Sequence, residues 1–212
     1  MTKDVDVYAS CDRAIRALDR QIVEAFGQMK TATWDQVSMI RMVTGVYREL
    51  AEKARKRYKK VGWDAYLLGL LLCGIEGDRA QQMARKVITE TWIEDILEKP
   101  DIVTFYRFDR ETERKAYRLA EALEATRDRN PEIDKAMRAW SKQVGQYAIN
   151  VTDYAMVQAF EDAGVEMVMW QSKRDKLVCR ECHAYDGQVF HIDEVPPKHW
   201  NCRCKLIPMF RA

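Results

Sequence analysis

The sequence predicts a mainly α-helical protein that ends in a small β-rich segment, an α+β class. Two observations predict the helical part: apolar residues recur at intervals of three and four along most of residues 1–164, and only nine glycines and five prolines interrupt the chain. A third observation predicts the end. After Gly164, short β-prone stretches alternate with turn residues, and four of the six cysteines and all three histidines fall between residues 179 and 204.

Five helices are predicted from this periodicity in the first part of the chain, and we expect them to pack as a helical bundle. They span residues 8–28, 34–60, 78–98, 111–126 and 131–163. The last of them follows Asn130-Pro131, and asparagine before proline is typical of a helix start. Val61-Gly62 is predicted to end the second helix. The very apolar stretch 65–73 is then predicted to be a short buried helix of its own.

The remaining residues are predicted to form three short strands, at 165–170, 188–190 and 205–207. We expect these strands to make a β-meander that carries the cysteines and histidines. The chain is therefore predicted to divide into a helical domain, residues 1–164, and a small β-rich Cys/His segment, residues 165–212, packed on it.

Composition bounds the class of protein. Charged residues make up 32% and apolar residues 47% of the 212 residues, which is typical of a folded, soluble chain. A net charge of +2 gives no global signal for nucleic acid. The start of the chain is polar, and the longest apolar run, residues 65–73, is half of what a membrane span needs, so we expect no leader and no membrane contact. In a reducing cytoplasm, clustered cysteines are more often metal ligands than disulfides.

The cysteines and histidines have the spacing of tetrahedral zinc ligands. Five candidates stand in two close groups: Cys179, Cys182, His199, Cys202 and Cys204. One set of four pairs Cys179-x-x-Cys182 with His199-x-x-Cys202, and it is favoured because a two-residue gap chelates more easily than a one-residue gap. The other set uses both Cys202 and Cys204 and leaves His199 beside the site. Four ligands leave no open position, so the zinc would be structural and the segment a zinc-binding-like hairpin.

Two other interpretations of these cysteines remain open. They are free thiols in a small hairpin, or disulfides formed once the protein is outside the cell. His183 and His191 are predicted to be surface residues of the hairpin. Cys11 and Cys73 stand alone in helical patterns and are predicted to be small core residues.

A run of six cations surrounds the end of the second predicted helix. It consists of Lys53, Arg55, Lys56, Arg57, Lys59 and Lys60. Such a run can contact phosphates with a salt-dependent affinity. This gives an alternative function, a zinc-stabilised nucleic-acid-binding protein. A solvated helix end, favoured by the helix dipole, explains the same residues.

No motif for catalysis is visible. The sequence has no glycine-rich phosphate loop, no His-Glu-x-x-His and no Gly-x-Ser-x-Gly. The cysteines come as chelating pairs, which favours metal binding over nucleophilic catalysis. Asp175, Asp186 and Glu194 are isolated acids in a turn-rich segment and are interpreted as turn and surface residues. The protein is predicted not to be an enzyme, and no catalytic residue is assigned.

The order of these features resembles the C-terminal signature of the phage head morphogenesis family, the minor capsid proteins similar to the F protein of phage Mu. The resemblance covers roughly residues 135–210. It runs through a strand with tryptophan, Val168-Met-Trp170, then Asp175, Cys179-Arg-Glu-Cys182, Asp186-Gly187-Gln-Val-Phe190 and Pro196-Pro197-Lys-His199-Trp-Asn201-Cys202-Arg203-Cys204. Two positions depart from the family pattern. Trp200 stands where proline is frequent, and Val151-Thr152-Asp153 stands where Arg-Thr-Glu is frequent.

The resemblance implies a non-enzymatic virion protein of the phage head, assembled in the host cytoplasm. Such a minor capsid protein is expected at the portal vertex or the inner capsid, in several copies per virion. Its expected partners are the portal protein, the major capsid protein or both, and its action extends from head assembly to packaging or ejection of the DNA. The toxin region that some relatives carry is not expected in this chain.

Overall fold

The computed structural model describes residues 6–32, 36–99, 107–173 and 178–210. Within these ranges the chain forms seven α-helices, three strands and one 3-10 turn at Ile192–Glu194. The helices are α1 (Ala9–Thr31), α2 (Gln36–Leu72), α3 (Gly77–Val87), α4 (Glu90–Glu98), α5 (Phe108–Ala125), α6 (Asn130–Asp162) and α7 (Arg180–Tyr185). The strands are β1 (Met167–Gln171), β2 (Val189–His191) and β3 (Lys205–Met209). The predicted fold class is confirmed, since a helical bundle is followed by a small antiparallel sheet.

A line of aromatic rings holds the bundle together. Phe26 of α1 lies 5.5 Å from Tyr47 of α2, measured between ring centroids, and Tyr47 lies 5.2 Å from Trp140 of α6. Phe108, at the start of α5, lies 5.8 Å from Trp140 and 5.0 Å from Tyr147. All five side chains are buried. Because each ring pair adds to the burial of large apolar surfaces, this line fixes four helices against one another.

The second helix does not end at Val61-Gly62, and this prediction is wrong. Helix α2 runs unbroken to Leu72 and includes all but the last residue of the stretch 65–73, which was expected to form a separate helix. Gly62 allows close packing. A Cβ at this position would lie 3.2 Å from the Trp92 side chain and 3.3 Å from that of Val151. Residues 33–35, where the helix was predicted to begin, lie outside the described ranges.

The helix predicted over 78–98 is two helices, and Thr89 explains the break. Its backbone is extended, and its hydroxyl accepts a hydrogen bond from the Trp92 amide at 3.1 Å. Threonine therefore caps α4 and starts a new helix direction after Ile88. Helix α5 begins three residues earlier than predicted, at Phe108, and α6 agrees with the predicted helix to within one residue.

The C-terminal sheet has the strand order β2-β1-β3, with both pairings antiparallel. A meander would place the strands in chain order, so the predicted meander is corrected to a sheet with β1 at its centre. Val168 lies opposite Phe190 on one side and Pro208 on the other, and Trp170 lies opposite Leu206. These residues share the face that packs on the core, because facing residues of antiparallel strands point to the same side.

The division into residues 1–164 and 165–212 stays a prediction. The structure does show that buried residues from both parts belong to one hydrophobic cluster, which runs from Cys11 of α1 to Leu206 of β3. Among the helices that the structure describes, none combines the length and apolar character needed to cross a membrane.

The crossing of α2 and α6 gives a testable prediction about Gly69. A Cβ there would lie 2.6 Å from the Ala159 Cβ, closer than two carbons can approach. Gly69→Ala is therefore expected to lower the free energy of unfolding by about 1–3 kcal/mol, although alanine is the better helix former. Gly45→Ala, in the same helix with nothing within 4 Å, is the matched control and should gain about 0.5–1 kcal/mol. Urea unfolding measures both, and a stabilised Gly69→Ala would contradict the close crossing.

Candidate metal centre

The first pair of candidate ligands sits at the start of the short helix α7. Cys179 is its N-cap, and its sulfur accepts a hydrogen bond from the Cys182 amide at 3.3 Å. Because the Cys179 sulfur meets the backbone of Cys182, the Cys-x-x-Cys segment closes into a tight turn. The sulfur of Cys182 is buried beneath this turn, while Cys179 remains half-buried.

The second group comes from the loop between Lys198 and Cys204, which leads into β3. His199 Nε2 lies 3.2 Å from the Cys179 sulfur and 3.1 Å from the Cys182 sulfur. The Cys202 sulfur lies 3.7 Å from that of Cys182. A turn in which the Cys202 amide donates to the His199 carbonyl at 3.1 Å brings both side chains to the same side of the loop.

These distances fit a tetrahedral zinc ion. With Zn–S near 2.3 Å and Zn–N near 2.0 Å, two sulfurs on one zinc lie about 3.8 Å apart, and a sulfur and a nitrogen about 3.5 Å apart. The measured separations of 3.7, 3.2 and 3.1 Å agree with these values to within about 0.4 Å. Cys182 thus lies at ligand distance from His199 and Cys202, and Cys179 lies at ligand distance from His199, whereas the four ligand atoms of the favoured set do not all lie within 4.8 Å of one another.

Cys204 is a fifth candidate ligand, one more than a tetrahedral site needs. The candidate ligand atoms form two groups of three, Cys179 with Cys182 and His199, and Cys182 with Cys202 and Cys204, whose members lie within 4.8 Å of one another. Cys182 belongs to both groups. The cluster can hold a metal ion, and it brings together all five residues that the sequence singled out.

Burial sets the protonation state of the buried thiols in the cluster. Burial raises the pKa of the Cys182 thiol well above its ordinary value, and the neighbouring Cys179 raises it further. Burial also raises the pKa of the Cys202 thiol. Without a cation both thiols would hold their protons, whereas a bound zinc deprotonates a coordinating thiol outright. His199 Nδ1 lies 2.9 Å from the Trp200 carbonyl oxygen, a contact that orients the ring and leaves Nε2 toward the sulfurs.

A partly buried polar network connects the same loop to the helices. Lys198 Nζ donates to Asp153 Oδ1 of α6 at 2.7 Å, to the Cys204 carbonyl at 2.7 Å and to the Tyr8 hydroxyl at 3.0 Å. The Tyr8 hydroxyl also lies 2.7 Å from Asp153 Oδ1. Burial, and then the Asp153 carboxylate, raise the pKa of Tyr8, so this hydroxyl stays a donor. We call Tyr8, Asp153 and Lys198 the anchor network.

Two further contacts hold the loop. The Asn201 amide donates to Gln146 Oε1 of α6 at 2.6 Å, and Asn201 has a φ of 58°, a left-handed conformation that asparagine tolerates. Arg203 pairs with Asp12 of α1 at 2.9 Å. The candidate ligands His199, Cys202 and Cys204 therefore alternate with residues that bind the helical bundle.

Comparison with known proteins gives the family. The model of the family described as phage Mu protein F like protein matches residues 74–207, well over half of the chain. The chain belongs to this family. No curated protein and no solved structure matches it.

Membership places this chain in phage head morphogenesis, as a virion component that interacts with other parts of the capsid. The matched residues contain α6, β1, β2, the first three residues of β3, all five candidate ligands and two members of the anchor network, Asp153 and Lys198. Asp153 also belongs to the segment where this chain departs from the pattern expected for the family, and its carboxylate is the partner of Lys198.

Most cations of the basic run form ion pairs with acidic side chains. Lys53 pairs with Glu49, Arg55 with Glu94 and Asp109, Lys59 with Glu90, and Lys60 with Asp64. Within the described part of the chain no ion pair is found for the two remaining cations, Lys56 and Arg57. These ion pairs favour the interpretation of the run as a solvated helix surface. Nucleic-acid binding by the run stays a prediction.

The remaining predicted residues take structural places. His183 and His191 are exposed, and Cys11 is fully buried in the core, as expected. Cys73 is half-buried at the end of α2. Asp186 is more than a surface residue, because its carboxylate accepts from the Ser172 amide at 2.8 Å and closes the turn before Gly187. Asp175 lies outside the described residues.

Proposed function

We propose that this chain is a non-enzymatic minor capsid protein that acts at the portal vertex or on the inner capsid while the phage head assembles. The observation that carries the proposal is the family match over residues 74–207. It is supported by the site itself, in which buried cysteines and a histidine converge in the arrangement of metal ligands. Its partners would be the portal protein, the major capsid protein or both, and several copies would enter each virion.

The experiment that tests this role uses purified components of the same phage. The full chain is mixed with the assembled portal ring, or with capsid shells that lack a portal, and each mixture is sedimented. We expect a complex of fixed stoichiometry with one of the two. A chain that sediments with neither, while it retains its metal, would overturn the proposal. A complex with the shells alone would place the protein on the inner capsid.

We also propose that structural zinc binds Cys179, Cys182, His199 and Cys202, with Cys204 as an additional thiol beside them. The support is the chain of ligand distances through Cys182 described above. Zinc would supply a crosslink between α7 and the loop before β3, with no open position for a substrate. No step of a reaction is assigned to it.

The choice of ligands gives a direct prediction. Cys202→Ser is expected to lose the bound zinc, whereas Cys204→Ser should keep close to one zinc per chain, because only Cys202 completes the favoured set. Metal content after gel filtration, measured by mass spectrometry of the eluted protein, separates the two. Zinc lost from both variants would instead favour the set that uses both of these cysteines and leaves His199 beside the site.

The alternative function, nucleic-acid binding, has a specific test in the two cations without an ion pair. If the run binds DNA, Lys56→Glu combined with Arg57→Glu should abolish retention on DNA at low salt, because every cation that neutralises a phosphate strengthens the salt-dependent part of the affinity. Arg13→Glu combined with Arg20→Glu, which changes the charge equally on α1, is the control. Equal retention of the wild type and both variants would remove this interpretation of the run.

A further inference from the structure

Most of the outer face of the C-terminal sheet is apolar, although the face of a sheet that points away from the core is usually polar. Residues that point away from the core alternate with Val168, Trp170 and Leu206, which are buried. The outward positions, read across the sheet, begin with a polar pair, Gln171 and Lys205, and continue in two rows of three: Met209, Met167 and His191 in one, and Ile207, Met169 and Val189 in the other. Sheets with one face in water usually carry polar residues on that face. Five of these six side chains are aliphatic or thioether groups.

This face remains accessible in the folded chain. Val189 is 47% exposed and Met209 is 40% exposed, and the adjoining Phe210 is 59% exposed. Met167, Met169 and Ile207 are half-buried. We call these two rows together with Phe210 the outer sheet face. Large exposed apolar groups gathered on one flat surface indicate a contact with another molecule, whereas scattered ones do not.

The edges of this sheet are unsuited to pairing with an added strand. Strand β2 has only three residues, and β3 contains Pro208, which has no amide hydrogen to donate. Short edges and edge prolines are the features by which sheets resist strand addition. An occupant would therefore lie on the face of the sheet and not extend it.

The size of the face favours one helix over a second copy of the chain. Strands about 4.8 Å apart and rows about 7 Å apart give a patch of about 10 by 7 Å, which matches about two turns of one α-helix. A stable dimer buries about 800 Å² on each partner, far more than seven partly covered side chains offer. Three of the seven are methionines, whose flexible thioethers adapt to an amphipathic helix.

We infer that the outer sheet face is the docking surface for an amphipathic helix of another head component, an inference that rests on the proposed role in the head. The helix presents aliphatic or aromatic residues spaced three and four apart to the methionine rows. Helix α7, which carries the first pair of candidate ligands, packs on the opposite face of the sheet, where the Tyr185 ring lies 5.4 Å from Trp170 and 5.9 Å from Phe190. We expect this packing to hold the strands in place for the contact.

The test compares two double variants by sedimentation with the portal ring and with portal-free capsid shells. Met169→Gln combined with Ile207→Thr makes the face polar with residues that strands tolerate. Val23→Gln combined with Leu71→Gln removes as many exposed apolar side chains from α1 and α2, where they stand 54% and 51% exposed. We expect the face variant to bind its partner at least about tenfold more weakly, with the control unchanged. Circular dichroism and zinc content verify that both variants fold.

Every other result of this test overturns the inference, and these results can be distinguished from one another. Equal binding by the face variant overturns it while leaving the proposed function intact. A wild-type dimer in analytical ultracentrifugation that the face variant loses assigns the face to a second copy. A wild type that binds neither portal nor shells removes the proposed function and this inference with it. A photo-crosslinking residue at position 169 should mark partner residues three or four apart, and alternate residues would indicate a strand instead.

Discussion

Cys182→Ser is expected to produce the largest change of any single substitution in the Cys/His segment. Its sulfur lies within ligand distance of both His199 and Cys202, so its loss separates the two halves of the cluster. We expect zinc to be absent from the purified variant. The free energy of unfolding of residues 165–210 should fall by more than about 3 kcal/mol, since structural zinc contributes on the order of 10 kcal/mol in small zinc-binding peptides. Metal analysis and hydrogen exchange of the three strands measure the two effects.

The control for this substitution is Cys73→Ser, the same chemical change at a half-buried thiol far from the cluster in sequence. It should keep its zinc and lose no more than about 1 kcal/mol. A chelator should lower the thermal midpoint of the wild type toward that of Cys182→Ser and leave the variant itself unchanged. Wild-type zinc content in Cys182→Ser would show that the metal, if any, is held elsewhere.

Lys198→Met is expected to have the second largest effect, and it acts without touching a ligand. Methionine keeps the length of the side chain but removes the cation that pairs with the Asp153 carboxylate, and it leaves the Tyr8 hydroxyl as the donor to Asp153 and to the Cys204 carbonyl. The Lys198 and Asp153 side chains are 15% and 21% exposed, so the pair is mostly shielded from water. Removing one partner of such a pair should cost about 2–3 kcal/mol. Zinc content should stay at one per chain, whereas hydrogen exchange near Tyr8 should increase.

Asp153→Leu completes a double-mutant cycle with Lys198→Met. Alone it should destabilise the protein by a similar amount, because it leaves the Lys198 ammonium buried and unpaired. Together with Lys198→Met the loss should be smaller than the sum, since neither charge then remains without a partner. Lys56→Met, on the exposed surface of α2, is the control and should change stability by less than about 0.5 kcal/mol. Strict additivity of the two anchor substitutions would contradict the anchor network.

The sequence was sufficient for those features that depend on local pattern. The period of the apolar residues located α1, α5 and α6, and the spacing of the cysteines located the cluster. Errors arose where a residue had a role set by its neighbours in space. Gly62 resembles a helix breaker, but it lies inside α2, where its lack of a side chain allows Trp92 and Val151 to pack closely. At Thr89 the error is the opposite one, because a helix boundary was missed. Threonine is a capping residue, but the apolar period continues on both sides of it and indicated one helix.

The parts of the site that the sequence could not predict are its long-range contacts. Nothing near Lys198 in the chain indicates Asp153 or Tyr8, which are 45 and 190 residues away. The short helix α7 was also missed, because six residues are too few to show a helical period. Its one local signal was Cys179 itself, whose sulfur serves as the helix cap.

The contact between Tyr8 and Cys204 joins positions 196 apart in the sequence. Closing so long a loop carries a high entropic cost that only the completed fold offsets. During synthesis the first helix is available long before the loop at residues 198–204 leaves the ribosome. The hydrogen bond from the Tyr8 hydroxyl to the Cys204 carbonyl can therefore form only after this loop has been synthesised. A polypeptide interrupted before residue 198 keeps Asp153 as a partner for Tyr8 but lacks the Lys198 ammonium and the Cys204 carbonyl, so its anchor network stays incomplete.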